Sequence, residues 1–271
     1  MKTGYTHHLT SSSEIHCENP VKRRLREGET AISLTLTAAS PEVAAAAARL
    51  GFDFLWIEME HSPITLETLR NMVLAVRGLP AVLCARVPVN EIWQAKRVLD
   101  AGVMGVIFPF VSTAELARQA VAACKYPPAG RRGSGAGLAV SVWPEAANFY
   151  DMSDRNVVVV AMIEEAQAVE NIDSIAATPG IDALFLGTSD LSFSLGLRGE
   201  QDHPRLEEAI EKVLAAARRH NVPVGRPAHT AEDIHEYTRR GYRLFQSQTD
   251  LGLLALGARE LLRPPGAGHA R

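Results

Sequence analysis

The sequence predicts a (β/α)8 barrel, a closed ring of eight parallel strands surrounded by helices. Short β-rich runs alternate with amphipathic helical stretches at a steady spacing, which is typical of repeated βα units. Eight such units can be counted, and a barrel of this kind takes about 250 residues. Because the chain has 271 residues, the count leaves no room for a second folded domain.

Most of the predicted strands are apolar along their whole length, as strands covered on both faces should be. They are Ala31–Thr37, Phe52–Met59, Ala81–Val87, Gly105–Val111, Val157–Glu164, Ala183–Gly187, Val222–Arg226 and Tyr242–Gln248. An open, doubly wound sheet is the alternative, and it would carry a glycine-rich turn after the first strand. The first strand runs instead into Thr37-Ala38-Ala39-Ser40, which favours the closed barrel.

The predicted helices have recognisable start and stop signals. They are Pro41–Leu50, Leu66–Arg77, Glu91–Ala101, Thr113–Lys125, Ala168–Ala177, Pro204–His220, Ala231–Arg240 and Leu251–Leu262. Ser40 and Thr230 can cap helix starts, and a proline follows Ser40 in the first turn. Glycines such as Gly51, Gly102 and Gly241 follow helix ends, where a left-handed residue stops the helix.

We expect a polar leader at residues 1–24, the barrel at residues 25–263 and a short tail at residues 264–271. The formal net charge of -3 offers no field that would attract nucleic acid or an anionic membrane. The leader lacks the apolar run of a secretory signal, and no apolar run approaches the roughly 20 residues of a membrane span. The three cysteines are unclustered. These features predict a cytoplasmic protein with reduced thiols.

The longest connection lies between the fourth and fifth strands and contains the segment Tyr126–Gly135, rich in Pro, Gly and Arg. Long connections of this kind in compact domains are usually functional. We therefore expect an active-site or interface segment here, with a flexible surface loop as the alternative.

Two acids at neighbouring strand ends predict a metal site. In a barrel, the chemistry collects at the carboxyl ends of the strands. Glu164 closes the apolar run that begins at Val157, and ionising it there requires a cation or a donor nearby. Asp190 follows the next strand. Two carboxylates, with other positions left to water and substrate, suit Mg²⁺ or Mn²⁺. The alternative is that either acid caps the following helix.

A histidine and an arginine also stand at strand ends. His61 follows Glu58 and Glu60 and could serve as a general base, although it could equally cap the turn before a proline. Arg86 ends a buried run and requires an anionic partner. That partner could be Glu58 or Glu60, or a carboxylate or enolate oxygen of a substrate, or both in turn.

Asp100 ends a predicted helix that leads to the opposite, N-terminal face of the barrel. If it has a catalytic role, a neighbouring subunit must receive it. The lysines fall in the leader or in helices, so no strand carries an amine for imine catalysis. Enolate chemistry with a metal as Lewis acid remains.

Several segments together resemble the HpcH/HpaI aldolases, over about residues 25–263. The segments are Gly51–His61, Arg86-Val87-Pro88, Leu99-Asp100-Ala101-Gly102, Tyr126–Gly133, Ile163-Glu164 and Gly187-Thr188-Ser189-Asp190-Leu191-Ser192. The resemblance implies a class II aldolase on a (β/α)8 barrel, dependent on Mg²⁺, Mn²⁺ or Co²⁺. It implies a hexamer, a trimer of dimers that exchange the last helix. The substrate would be a 4-hydroxy-2-oxo acid, cleaved to pyruvate or a related 2-oxo acid and an aldehyde.

The resemblance also implies roles for residues. Glu164 and Asp190 would bind the metal, and His61 would transfer protons with a water on the metal. Arg86 would stabilise the enolate and the keto oxygen, and Asp100 would tune the histidine of an adjacent subunit. The substrate would lie at Gly187 and Thr188, with the main-chain amides of Ser189 and Asp190 holding its carboxylate.

Two residues depart from the pattern of this family. Glu58 stands where many members have Asp, which changes how His61 is oriented, and Met162 stands where many have Gln, which binds substrate oxygens. Methionine donates no hydrogen bond. Two further functions therefore remain open: an oxaloacetate decarboxylase or an enolate-trapping enzyme similar to macrophomate synthase, and a catalytically silent protein that binds a 2-oxo acid.

Overall fold

The computed structural model describes residues 18–143 and 148–263, and it contains the predicted closed barrel. Eight parallel strands pair in sequence order, and the eighth pairs with the first to close the ring. The strands are β1 (Ala31–Leu36), β2 (Phe54–Glu58), β3 (Val82–Arg86), β4 (Gly105–Phe108), β5 (Val158–Ile163), β6 (Ala183–Leu186), β7 (Val224–Pro227) and β8 (Leu244–Thr249). All eight predicted strands are confirmed, with shifts of a few residues at their ends.

Thirteen helices are present in the described ranges. They are α1 (Pro20–Arg26), α2 (Pro41–Ala47), α3 (Leu66–Ala75), α4 (Ile92–Ala101), α5 (Ala114–Cys124), α6 (Gly137–Val140), α7 (Phe149–Asn156), α8 (Ala166–Glu170), α9 (Ile172–Ala176), α10 (Thr188–Ser194), α11 (Pro204–His220), α12 (Ala231–Arg240) and α13 (Asp250–Leu261). The sequence did not predict α1, α6, α7 or α10, and the single helix predicted at Ala168–Ala177 is the pair α8 and α9. None of the described helices is long and apolar enough to span a membrane.

The predicted start and stop signals act as expected. The hydroxyl of Ser40 accepts from the amide of Val43 at the start of α2, and Thr230 forms a reciprocal capping box with Asp233 at the start of α12. Gly102 after α4 and Gly241 after α12 have φ values of 112° and 107°. These positive values require glycine at both helix ends.

Helix α1 closes the N-terminal end of the barrel. Asn19 caps it, accepting from the amides of Val21 and Lys22. Its two buried side chains, Val21 and Leu25, join the cluster that fills the barrel interior, which includes Ala31, Phe54, Trp56, Cys84, Ile107, Val158, Val160, Met162, Ala183, Phe185 and Leu244. Residues 20–24, which the sequence analysis placed in the leader, therefore belong to the barrel. Residues 1–17 and 264–271 lie outside the described residues.

Strand β4 ends three residues earlier than its apolar run suggests. Phe110 has a φ of 52°, in the left-handed region that breaks an extended strand. Its amide donates to the Glu164 carboxylate at 2.6 Å instead of to a neighbouring strand. Phe110 is 45% exposed and is thus part of the rim around the carboxyl end of the barrel, whereas Val111 is buried in the hydrophobic core.

Candidate active site

Strand alternation brings four predicted site residues to one place. Trp56 and Cys84 point into the barrel, so Glu58 and Arg86, two residues further along β2 and β3, face the same side at the carboxyl end. These two residues are direct neighbours in the β2–β3 register. On the opposite wall, Met162 lies in the interior cluster and Glu164 follows it by two residues.

Arg86 is held by two carboxylates. Its Nε and Nη2 atoms each lie 2.7 Å from Oε2 of Glu58, and its Nη1 lies 3.0 Å from Oε2 of Glu60. The arginine side chain is only 11% exposed. The predicted pairing with Glu58 and Glu60 is therefore present, and it fixes the guanidinium at the mouth of the barrel.

Glu58 organises the turn after β2. Its Oε2 accepts from the indole of Trp56 at 3.3 Å, and its Oε1 accepts from the amides of Glu60 and His61 at 2.8 and 3.0 Å. Glu58 therefore positions His61 through the main chain, whereas the sequence analysis expected an effect on the imidazole. The hydroxyl of Ser62 donates to the carbonyl of Glu58 and completes the turn.

The imidazole of His61 lies at the mouth and is 65% exposed. Its Nε2 is 3.8 Å from Oε2 of Glu60. The turn before Pro63 is closed by Ser62, whose hydroxyl accepts from the amide of Ile64 at 3.2 Å. The imidazole is thus not needed as the cap of this turn, and it is accessible to a ligand.

Glu164 is a buried carboxylate, 1% exposed. Its pKa is raised to about 7: burial is the main cause and the charges of Glu60 and Asp190 add to it, while the Phe110 amide and Arg86 lower the pKa. The neighbouring residue Glu165, not Glu164, is the N-cap position of α8. The alternative that Glu164 caps a helix is therefore wrong.

Gly187 leaves room for the Glu164 carboxylate. A Cβ at position 187 would lie 2.6 Å from Oε2 of Glu164 and 2.8 Å from its Cβ. Gly187 is also the N-cap of α10, so Thr188, Ser189 and Asp190 form the first turn of that helix. Within this described helix no side chain makes a capping hydrogen bond, and Asp190 is not the cap that the alternative proposed. Main-chain amides in a first turn have no partner within the helix.

Asp190 is half-buried and close enough to Glu164 and Glu60 for its charge to raise the pKa of both. Met162 lies beside them, buried, with its sulfur 3.9 Å from Nη1 of Arg86. The structure thus brings together the predicted residues of β2, β3, β5 and the β6 end.

Asp100 does not join this group. It lies near the end of α4, and its Oδ1 accepts from Nη2 of Arg132 at 2.9 Å in the same chain. Arg132 is 1% exposed and also donates to the hydroxyl of Ser153 at 3.0 Å. The predicted segment Tyr126–Gly135 therefore packs against the end of α4, and its guanidinium at position 132 is stacked over the ring of Tyr126.

Two contributors to the site were missed by the sequence analysis. The first is Glu60, which the sequence indicated only as a structural partner of Arg86. In the structure its carboxylate lies 3.0 Å from Arg86 and 3.8 Å from the His61 ring. Burial raises its pKa, partly offset by Arg86 and His61. Its position two residues after Glu58 was the available signal. The second is the amide of Phe110, for which the sequence carries no signal because its contact depends on a backbone turn.

The donors at the mouth suit a hard divalent cation. Among the described residues, no three His, Cys, Asp or Glu side chains come together closely enough to hold a metal by themselves. Mg²⁺, however, keeps several waters and is often bound through only one or two carboxylates. Oε2 of Glu60 is buried, and its partner among the described residues is Nη1 of Arg86, at 3.0 Å. The recess at Gly187 and the raised pKa of Glu164 together fit a cation bound by Glu164 and Asp190.

Comparisons with known proteins agree with the fold and identify the family. The family model of the HpcH/HpaI aldolase/citrate lyase family matches residues 32–255. A 5-keto-4-deoxy-D-glucarate aldolase of Klebsiella pneumoniae is 36% identical over 211 residues, which are 78% of this chain and 82% of that protein.

Solved structures of similar proteins share the fold of this chain. An HpcH/HpaI aldolase/citrate lyase family protein from Burkholderia cenocepacia superposes with a TM-score of 0.83 at 34% identity, covering 90% of this chain and 98% of that one. A macrophomate synthase superposes with a TM-score of 0.79 at 26% identity, covering 93% of this chain and 96% of that one.

Proposed function

The chain belongs to the HpcH/HpaI aldolase/citrate lyase family of carbon–carbon lyases, and from this premise we propose that it cleaves or forms 4-hydroxy-2-oxo acids. The products of cleavage are pyruvate or a related 2-oxo acid and an aldehyde. The observation that carries this proposal is the group of Glu60, Arg86, Glu164 and Asp190 at one mouth, with the exposed His61 beside it.

The proposal includes a divalent metal, Mg²⁺, Mn²⁺ or Co²⁺, held by Glu164 and Asp190. A cation there supplies a Lewis acid for the oxo group of the substrate. The buried carboxylate of Glu164 favours cation binding, because its ionised form lacks solvation in the protein. The amide of Phe110 fixes Oε1 of Glu164 and leaves Oε2 directed toward Gly187.

Arg86 is suited to stabilise the negative charge that develops on the enolate oxygen. Two carboxylates hold its guanidinium in place before the substrate arrives, so little reorganisation is needed. A planar guanidinium has five N–H donors, and those not bonded to the glutamates are available to the substrate. Arg86 thus combines the structural and functional roles that the sequence left open.

His61 is suited to remove the proton of the 4-hydroxyl group and to return a proton to the enolate. Its imidazole is exposed at the mouth, where a hydroxyl of the substrate can reach it. Glu60, 3.8 Å from the ring, stabilises the protonated imidazole after the transfer. The backbone of this histidine is fixed by Glu58, and its ring is exposed at the mouth of the barrel.

The substrate carboxylate is assigned to the first turn of α10. The amides of Ser189 and Asp190 have no acceptor within the helix, and the positive charge of Arg86 lies across the mouth. Gly187 and Thr188 form the adjacent wall. Met162 presents a thioether there, so the oxo acid receives no donated hydrogen bond from position 162.

A second candidate reaction begins from oxaloacetate, whose decarboxylation gives the same enolate. The structural similarity to a macrophomate synthase favours it as the alternative. A catalytically silent binding protein is the remaining alternative, and Met162 is the residue that motivates it.

We also propose that the protein is a homo-oligomer in which the last helix is exchanged between subunits. Helix α13 has no buried residue, and Leu251, Leu254 and Leu261 are 57%, 71% and 85% exposed. Such an apolar face is typical of an interface. Asp250 anchors its start, because its carboxylate accepts from Thr37 and the amide of Ala38. A hexamer would also bring Asp100 near the histidine of an adjacent subunit.

The proposed binding partners are small molecules, not nucleic acid or membranes, and the proposed location is the cytoplasm.

Exchange of the pyruvate methyl protons for deuterium tests the proposal without knowledge of the aldehyde. We expect exchange by proton NMR that requires added Mg²⁺, Mn²⁺ or Co²⁺ and that stops with a chelator. Binding of pyruvate without exchange under any of these metals would identify the silent protein. Pyruvate release from oxaloacetate, compared with release from hydroxy-oxo acids, separates the two enzymatic candidates.

A further inference from the structure

A second cavity lies at the end of the barrel opposite the proposed active site. Its volume is about 490 Å³, within the range of small-molecule sites. Its lining includes Asn156, Asp182, Pro223 and Arg243, each at or next to the residues that precede strands β5 to β8. Helix α1 and the end of α11 form its other walls. We call it the basal cavity.

The basal cavity carries an excess of positive charge. Two of its acids are already paired: Asp182 lies 3.0 Å from the ammonium of Lys22, and Glu18 lies 2.7 Å from Arg26. Three further arginines line the cavity, Arg155, Arg218 and Arg243. Within the part of the chain that the structure describes, none of the three has a carboxylate within ion-pair distance.

Part of this charge has a structural use. Arg218 donates to the carbonyl of Arg240, and Arg243 donates to the carbonyls of Thr238 and Tyr242 at 3.0 and 2.8 Å, at the end of α12. Carbonyls at a helix end attract cations. Each guanidinium nevertheless has five donors, and these bonds occupy only one Nη atom of each arginine. The remaining donors can serve a ligand.

We propose that the basal cavity binds a small phosphorylated molecule with an apolar body, of about the size of a mononucleotide. Guanidinium groups match phosphate oxygens in pairs. The apolar wall of the cavity, formed by Leu25, Ile181, Leu214 and Val222, gives the rest of such a molecule a place to pack. Residues 1–17 precede the cavity in sequence, but they contain one lysine and one glutamate and thus lack the negative charge that would complement the arginines.

Calorimetric titration of the full-length protein with AMP, inorganic phosphate and adenosine tests this proposal. We expect saturable binding of AMP, weaker binding of inorganic phosphate and none of adenosine. The double variant Arg155→Gln/Arg218→Gln should weaken AMP binding about a hundredfold, tenfold for each charge-assisted pair lost. Both arginines are exposed, and the substitutions remove one described structural hydrogen bond, from Arg218 to the carbonyl of Arg240, so the variant should remain folded, as circular dichroism checks.

Two control variants locate the bound AMP. The double variant Arg49→Gln/Arg205→Gln removes the same charge from exposed positions outside the cavity and should bind AMP as the parent does. Arg86→Gln should also bind AMP normally, because Arg86 lies at the other end of the barrel. The proposal is overturned if neither AMP nor phosphate binds, if adenosine binds as tightly as AMP, or if Arg86→Gln abolishes binding that Arg155→Gln/Arg218→Gln leaves intact.

Discussion

Arg86 and Glu58 are neighbours in the β2–β3 register and are joined by two contacts of 2.7 Å, from Nε and Nη2 to one carboxylate oxygen. The same glutamate fixes the amides of Glu60 and His61 through its other oxygen. The carboxylate of Glu58 thereby sets the positions of the Arg86 guanidinium and of the backbone of His61, the proposed base. A substitution of Arg86 should consequently also change the position of His61, because both residues depend on Glu58.

Arg86→Lys should lower turnover by about 10²–10³-fold while leaving the fold intact. Lysine keeps the charge but cannot make the two simultaneous contacts to Glu58 or present a fixed fork to the substrate. Steady-state kinetics and circular dichroism check this expectation. Arg118→Lys, at an exposed pair on α5, is the matched control and should retain full activity. Near-normal turnover of Arg86→Lys would show that only the charge matters.

Glu164→Gln should abolish tight binding of Mn²⁺ and reduce turnover by at least about 10²-fold. The amide keeps the shape of the side chain but loses the charge that a cation requires. Metal binding is measured by electron paramagnetic resonance of Mn²⁺. Glu165→Gln, at the next position and paired with the hydroxyl of Ser112, is the control and should bind Mn²⁺ normally. Equal effects of the two substitutions would contradict the assignment of Glu164.

Gly187→Ala should weaken metal binding by about ten- to a hundredfold, as disturbances of ligand orientation commonly do. The new methyl group would lie 2.6 Å from Oε2 of Glu164, so the carboxylate has to move. Gly137→Ala is the control, since a Cβ there meets no atom within 4 Å. The same Mn²⁺ titration reports both variants. Unchanged affinity in Gly187→Ala would mean that Glu164 does not bind the metal from this position.

Cys84 and Cys124 should be unreactive toward thiol reagents in the native protein. Both thiols are free and buried, and burial raises the pKa of each to about 12. A raised pKa leaves the thiol protonated up to that pH, and the thiolate is the reactive form. The variant Cys17→Ser removes the third cysteine. It should therefore show no reactive thiol near pH 8 when folded, and two reactive thiols, Cys84 and Cys124, after unfolding in denaturant. Rapid labelling of the folded variant would contradict this expectation.

Leu254→Asp should dissociate the proposed oligomer. The substitution places a charge on the exposed apolar face of α13, and burying it between subunits without a partner is unfavourable. Light scattering after size-exclusion chromatography measures the mass. Leu50→Asp, at a leucine that is 64% exposed after α2, is the control and should keep the parent mass. A parent protein that is already monomeric would disprove the proposed assembly.

The strands and the acids at their ends could be predicted because both follow from local patterns. A run such as Val158–Ile163 is apolar throughout, and a carboxylate directly after it stands out. Helix α1 could not be recognised, because its only buried side chains are Val21 and Leu25 and the surface that buries them comes from the rest of the barrel. The turn at Phe110 depends in the same way on a distant partner, the carboxylate of Glu164.

Val21 and Leu25 of α1 and the inward side chains of the strands fill the barrel, so the proposed site opens only at the carboxyl ends of the strands. Both products of the proposed cleavage must therefore leave through this one opening. In the proposed binding mode the oxo acid lies deeper, near the buried Glu164, and the aldehyde lies nearer the exposed His61. The aldehyde therefore blocks the path of the oxo acid until it dissociates. The aldehyde should exit first and the oxo acid second, an obligatory sequence that product-inhibition patterns reveal.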